Sequence, residues 1–209
     1  MTEADAVDML PALQRRSKEM AERLLNAGEQ VFSEHGFKGT KLSDIAVAAH
    51  CSVGAVYSRF KDKEALFLAI LQRFAAQSQA GVAAYFGAAT ATKTVSAAQT
   101  LHHFVVATGH SFRARHGMFR AIAEHGFDDA AAAAVILRLR EQNEAVIVGF
   151  LRSHVPDAGD DLDFRVRVAL QMLHGFLFLG LLNRGAPVPI LSEAGLEAVA
   201  AATIATLGL

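Results

Sequence analysis

The 209-residue chain has one cysteine, no tryptophan and 4 prolines. A lone thiol, Cys51, excludes an intrachain disulfide framework and fits a reducing compartment, for which the cytoplasm is the default. The first ten residues carry Glu3, Asp5 and Asp8 and no basic stretch ahead of an apolar one, so no secretory signal is expected. Long apolar runs are also scarce. The longest, Ala169 to Leu182, is interrupted by Gln171 and His174 and falls short of the roughly 20 residues that a bilayer demands, so it reads as a buried helix and no membrane partner is expected. Net charge is nearly absent too, at -1, which gives the whole chain no pull toward a polyanion.

What is present is apolar: 52% hydrophobic against 20% charged residues argues for a packed fold and against disorder. The charges are unevenly spread. Residues 11–75 hold ten basic and seven acidic side chains, leaving ten and fourteen for the rest, so a mildly basic module accompanies an acidic body. Apolar residues recur at helical spacing almost throughout, and alternating strand patterns bounded by turns are missing, so the chain reads as all-α. A first helix over about 15–35 should end at Gly36, a residue suited to a left-handed C-cap. Thr40 is the expected N-cap of a short helix over 42–49, followed by a third over about 53–59. A longer helix opens near Lys61 and should break between Gly87 and Lys93. Further helices are expected at about 94–115, 118–125, 129–153, 161–183 and 192–207, separated by Gly117, by Gly126 with Asp128-Asp129, by Pro156 to Gly159 and by Gly185 to Pro189.

Two short helices joined by a tight turn suit DNA, because the second can enter the major groove while the first braces it across the backbone. Here Ile45, Ala46 and Ala49 pack the bracing helix, and His50-Cys51-Ser52 leads into the second. Val56 and Phe60 supply its buried side, leaving small side chains outward, where they allow close approach to base edges. Cys51, without a partner thiol, reads as a small buried structural residue.

The stretches Gly36-Phe37-Lys38-Gly39-Thr40-Lys41-Leu42-Ser43-Asp44-Ile45-Ala46 and Ser52-Val53-Gly54-Ala55-Val56-Tyr57-Ser58-Arg59-Phe60-Lys61-Asp62-Lys63-Glu64-Ala65-Leu66 resemble the N-terminal domain of the TetR family. Arg23, Leu24, Leu25, Ala27, Val31, Phe32 and Glu34 match its first helix, so the resemblance covers about Arg15 to Phe74. It implies an N-terminal extension over 1–14, a three-helix DNA-binding domain over 15–61, and an effector-binding and dimerisation domain over 62–209. The implied function is a regulator, a repressor in this reading, that binds a palindromic operator as a homodimer and is released by a small apolar or aromatic effector. Carried over by position, phosphate contacts fall to Thr40, Lys41, Tyr57 and Lys63, and base-edge contacts to Ser52, Val53, Ala55, Ser58 and Arg59. His50 stands at the turn position where the family usually has glycine, and histidine is among the side chains enriched in left-handed backbone, so the turn is expected to survive. Val53 stands where a basic or polar residue is common in the family, which shifts readout toward thymine methyl groups.

For the body the resemblance implies a cavity between the middle helices, for which His103, Phe104, Phe112, Phe119, His125, Phe127 and Phe178 are the candidate lining residues. Residues 168–182 are apolar around most of a helix circumference, more than one core face requires. With the last helix they nominate a four-helix dimer interface of Leu173, Phe176, Leu177, Gly180, Leu196, Val199, Ala200, Thr203 and Leu207. The 9 histidines show no i, i+4 pair, so no metal or other cofactor is expected. Gly109-His110-Ser111 resembles half of a nucleophile elbow, but Arg113 replaces the closing glycine and no strand precedes it, so no enzyme is expected. A different class, a helical protein laying its basic N-terminal segment on anionic lipid, fits the same charge split.

Overall fold

The computed structural model describes residues 3–92, 95–155, 157–182 and 189–209. Those residues form helices and no strand: α1 (Glu3–Gly39), α2 (Leu42–Ala48), α3 (Val53–Tyr57), α4 (Lys63–Thr92), α5 (Ala97–Ala114), α6 (His116–Ala121), α7 (Ala130–His154), α8 (Leu162–Leu182) and α9 (Glu193–Leu207). The first three make an N-terminal helix-turn-helix unit, and the rest form a helical C-terminal body. Helix starts follow capping chemistry. Ser96, Asp129 and Ser192 each accept a backbone N–H from the first turn of α5, α7 and α9, and Gln99 completes a capping box with Ser96.

Helix α4 ends at Thr92, inside the stretch where its break is expected. Two expectations need correction. Helix begins at Glu3, so most of the stretch assigned to an extension is part of α1. Helix α8 has 21 residues and is long and apolar enough to cross a membrane by length and composition, although Asp163, Arg165 and Arg167 stand in its first two turns. It nevertheless buries Leu162, Val166, Ala169, Leu173 and Leu177 against the rest of the body. Lys93, Pro156 and Gly185 to Val188, expected among the helix breaks, lie outside the described residues.

Gly36 ends the regular part of α1 as expected, with φ 70° and ψ 178°, a backbone region open to glycine and strained for other residues. Phe37 then turns inward, stacking on Phe32 with centroids 5.8 Å apart and meeting Phe67 of α4 edge-on at 5.2 Å. Between α6 and α7 the chain widens into a π-turn, Ile122–Gly126, where the sequence pattern predicts ordinary helix to about residue 125. This turn packs on the kink: the His125 ring lies 3.7 Å from that of Phe37 at an interplanar angle of 7°. Glu124 Oε2 accepts the Phe37 amide at 2.8 Å and the Lys38 amide at 3.4 Å.

Helices α1 and α6 cross at Gly117, where a Cβ would fall 1.8 Å from the Ser33 carbonyl oxygen. That neighbour is backbone and cannot swing aside. Gly117→Ala should therefore cost about 1–3 kcal/mol, the usual range for overpacking. Thermal unfolding followed by circular dichroism should show a midpoint several degrees lower; an unchanged midpoint would contradict this crossing.

Candidate nucleic-acid interface

Helices α2 and α3 are short and hold their angle through the turn between them. His50 has φ 52°, the left-handed conformation expected there. The Cys51 amide donates to the Ala46 carbonyl at 3.0 Å, closing the turn. Cys51 itself is half-buried against the core. Ile45 and Val56 are fully buried, one from each helix, and fix the outward face of α3.

On that face Tyr57 is 57% exposed, so it does not fill the elbow between α3 and α4, and Val53 is 40% exposed. Ser52, Ser58, Arg59 and Lys41 are exposed and Ala55 is half-buried. A shallow groove gathers Lys41 and Ser43 of the α2 end, Val53 and Tyr57 of α3, and Lys61 and Lys63 ahead of α4. Three elements thus bring the candidate phosphate-binding residues to one surface. Several outward groups are already engaged within the chain. Ser52 Oγ accepts the Ala55 amide at 3.1 Å as the N-cap of α3, and Ser58 Oγ donates to the Ala55 carbonyl at 2.9 Å. Arg59 Nη1 donates to Ser17 Oγ at 3.2 Å, which folds this side chain back onto α1.

Two candidates are corrected by geometry. Thr40 is not an N-cap: it is 3% exposed and donates its hydroxyl to the Gly36 carbonyl at 2.7 Å, so its hydroxyl is turned into the kink and away from any phosphate. Lys41 takes the N-cap position of α2, with no side-chain hydrogen bond. Lys63 is tethered too. Its ammonium donates to the Phe37 carbonyl at 2.9 Å and lies 4.4 Å from the Phe37 ring centroid, so a phosphate contact would have to replace that bond.

The body contains a second candidate site, a cavity of about 480 Å³ walled by α4, α5, α7 and α8 and by Phe119 and Ile122 at the end of α6. Phe104, Phe112, Phe119 and Phe178 line it, and Phe112 stacks on Phe119 with centroids 3.6 Å apart. His103, His125 and Phe127 do not. His103 and Phe127 are exposed, and His125 is turned to Phe37. The polar part of the lining was missed: Arg140 and Asn143 from α7, and Gln171 and His174 from α8. Burial pushes the His174 imidazolium down from its ordinary pKa, and the nearby Arg140 charge adds to this against the opposing hydrogen bond to the Leu170 carbonyl. Only helical spacing signals these residues: 136, 140, 143 and 147 fall on one face of α7, and 167, 170, 174 and 178 on one face of α8.

The proposed dimer residues are mostly internal. Leu173, Leu177, Leu196, Val199, Ala200, Thr203 and Leu207 are buried within the single chain, and a Cβ on Gly180 would meet Ile190 at 2.9 Å. Only Phe176, at 37% exposure, is open to a partner. The exposed apolar side of α8 is instead Met172, Phe176, Leu179 and Leu182, and an alanine-rich side of α9 also faces out.

A helix-turn-helix with an open second helix, mounted on a helical body that encloses an apolar cavity, defines the class: a two-part helix-turn-helix protein. Residues 24–70 match the family described as bacterial regulatory proteins, tetR family. The N-terminal helix-turn-helix domain is one of this family. It is 40% identical over 53 residues to the HTH-type transcriptional repressor DhaR of Mycobacterium sp. (strain GP1), a stretch covering 25% of this chain and 27% of that protein. It is 35% identical over 63 residues to the HTH-type transcriptional regulator UidR of Escherichia coli (strain K12), covering 30% of this chain and 32% of the relative. The chain thus spans about a third or less of the curated relatives it matches. The fold extends further. A putative TetR-family transcriptional regulator from Mesorhizobium loti superposes over 92% of this chain and 96% of its own, with TM-score 0.75 and 17% identity. FadR from Bacillus subtilis, solved with stearoyl-CoA, superposes over 89% and 96%, with TM-score 0.63 and 16% identity.

Proposed function

We propose that the protein is a cytoplasmic transcriptional repressor that binds a palindromic operator as a homodimer and is released by a small effector held in the body cavity. The exposed face of α3, with Tyr57 and Val53 beside Lys41 and Lys61, carries this reading. It gives one helix short enough for a major groove, flanked by cations at the height of the phosphates. Two copies paired through the outward sides of α8 and α9 would set their α3 helices about 34 to 36 Å apart, one turn of DNA. Effector release needs a path from cavity to α3, and the π-turn supplies it. Phe119 and Ile122 touch the cavity, while Glu124 and His125, one turn on, hold the kink that precedes α2. An effector that prefers a different setting of this turn lowers DNA affinity by its differential affinity for the two settings.

Electrophoretic mobility shifts with DNA flanking the protein's own gene test the DNA reading. Tyr57→Phe combined with Lys41→Ala should weaken binding about tenfold or more across all bound sequences, since each removes a phosphate contact and no base contact. The slope of log affinity against log salt should become shallower by about one for the lost lysine. Unchanged affinity and slope would remove α2 and α3 from the interface.

A further inference from the structure

Most charges lining the body cavity are already neutralised. Arg115 is held by Glu29 at 3.0 Å, and Arg167 by Glu144 at 2.7 Å. Arg140 has no ion pair among the described residues, although it is half-buried and lines the same space. Glu141 also reaches the lining, but it is exposed and its charge is screened by water. One turn along α7 from Arg140, Asn143 carries a side-chain oxygen, Oδ1, that is buried and has no hydrogen-bond partner. Buried acceptors without donors are rare because their desolvation goes uncompensated.

Across from them, His174 Nδ1 is 2.7 Å from the Leu170 carbonyl and so carries the donated proton. Its ring, kept neutral, adds no second cation. Among the described residues the lining therefore offers a cation without an ion pair and a buried acceptor without a donor, beside a wall of phenylalanine rings.

We propose that the molecule this cavity takes is an aromatic hydroxy acid: its ring packs on Phe112, Phe119 and Phe178, its carboxylate pairs with Arg140, and its hydroxyl donates to Asn143 Oδ1. The inference rests on the reading of the cavity as the effector site and sharpens the apolar effector expected there. A neutral hydrocarbon of the same size would fill the aromatic half of the space and leave Arg140 partly desolvated and unpaired. A hydroxy acid answers both groups with charge-assisted and neutral hydrogen bonds, the guanidinium fork being suited to a carboxylate.

Isothermal titration of the full chain with four ligands of one ring each provides the test: 4-hydroxyphenylacetate, phenylacetate, 4-ethylphenol and ethylbenzene. The hydroxy acid should bind tighter than 4-ethylphenol by about tenfold or more, the usual scale of a charged hydrogen bond, and tighter than phenylacetate by about threefold or more. Arg140→Met should erase the first preference and Asn143→Leu the second, each binding ethylbenzene at least as tightly as the unaltered chain does. Arg140→Lys, which keeps the charge, should restore most of the preference for acids. Equal binding of all four to the wild-type chain overturns the inference while leaving the cavity an apolar effector site. Binding of none at millimolar concentration overturns the cavity reading and the inference with it.

Discussion

Replacing Phe176 and Leu179 together by glutamate is expected to reduce the sedimenting species to the mass of one chain, 22.3 kDa, and to abolish operator binding at concentrations where the unaltered protein binds. Met172, Phe176, Leu179 and Leu182 recur at helical spacing on α8, with exposures of 37%, 37%, 50% and 58%. Large apolar side chains grouped this way on a surface mark an interaction site. Two carboxylates per copy would have to be desolvated against their own counterparts across a two-fold axis. Loss of pairing makes the second half-site contact bimolecular again, a penalty of about two to four orders of magnitude in affinity. The helix itself should survive, since both side chains point away from the core; a normal far-ultraviolet dichroism spectrum checks this. A dimer persisting with both glutamates would move the interface elsewhere.

Glu124→Ala should uncouple the two halves of the protein. The carboxylate is the acceptor for the Phe37 and Lys38 amides, and it lies 3.6 Å from Arg120 Nε. Its removal leaves those amides short of an acceptor at a part-buried junction, a cost of about 1–3 kcal/mol that should lower the thermal midpoint by several degrees. The larger effect is on regulation. If effector binding reaches α3 through this contact, the ratio of DNA affinities with and without saturating effector should collapse from an ordinary coupling of about 5–150-fold toward one. Fluorescence anisotropy of labelled operator, titrated at both effector extremes, measures that ratio. A variant that keeps the full ratio would show that the coupling runs elsewhere, for example through the pairing of Arg73 and Arg115 with Glu29.

The helix-turn-helix was legible because its signals are local. The glycine at 36 and the turn at His50 are each properties of a few neighbouring residues. Helix order in the body was legible for the same reason. What escaped depends on partners distant in sequence. Thr40 has the chemistry of an N-cap, but it stands one residue ahead of the N-cap Lys41, with its hydroxyl turned inward to donate to the Gly36 carbonyl. Helix α8 is apolar on nearly every side, so periodicity could not say which side meets the chain's own core, and most residues expected at an interface are buried within the chain. His125 and Phe127 follow a cavity-lining helix in sequence, yet the π-turn carries them past the cavity. The unpaired states of Arg140 and Asn143 are facts about who their neighbours are, and no pattern along the chain encodes them.

The widened turn at Ile122–Gly126 has a geometric consequence of its own. A π-turn holds one residue more than the α-helical repeat requires. Were that surplus drawn out, everything after it would rotate about the helix axis by about 100°, the angle that one residue occupies. The His125 ring would leave the face of Phe37, and Glu124 could not stay beneath the two amides it now accepts. The hold of the body on the kink therefore rests on one surplus residue: with it in place both contacts form together, and without it neither could.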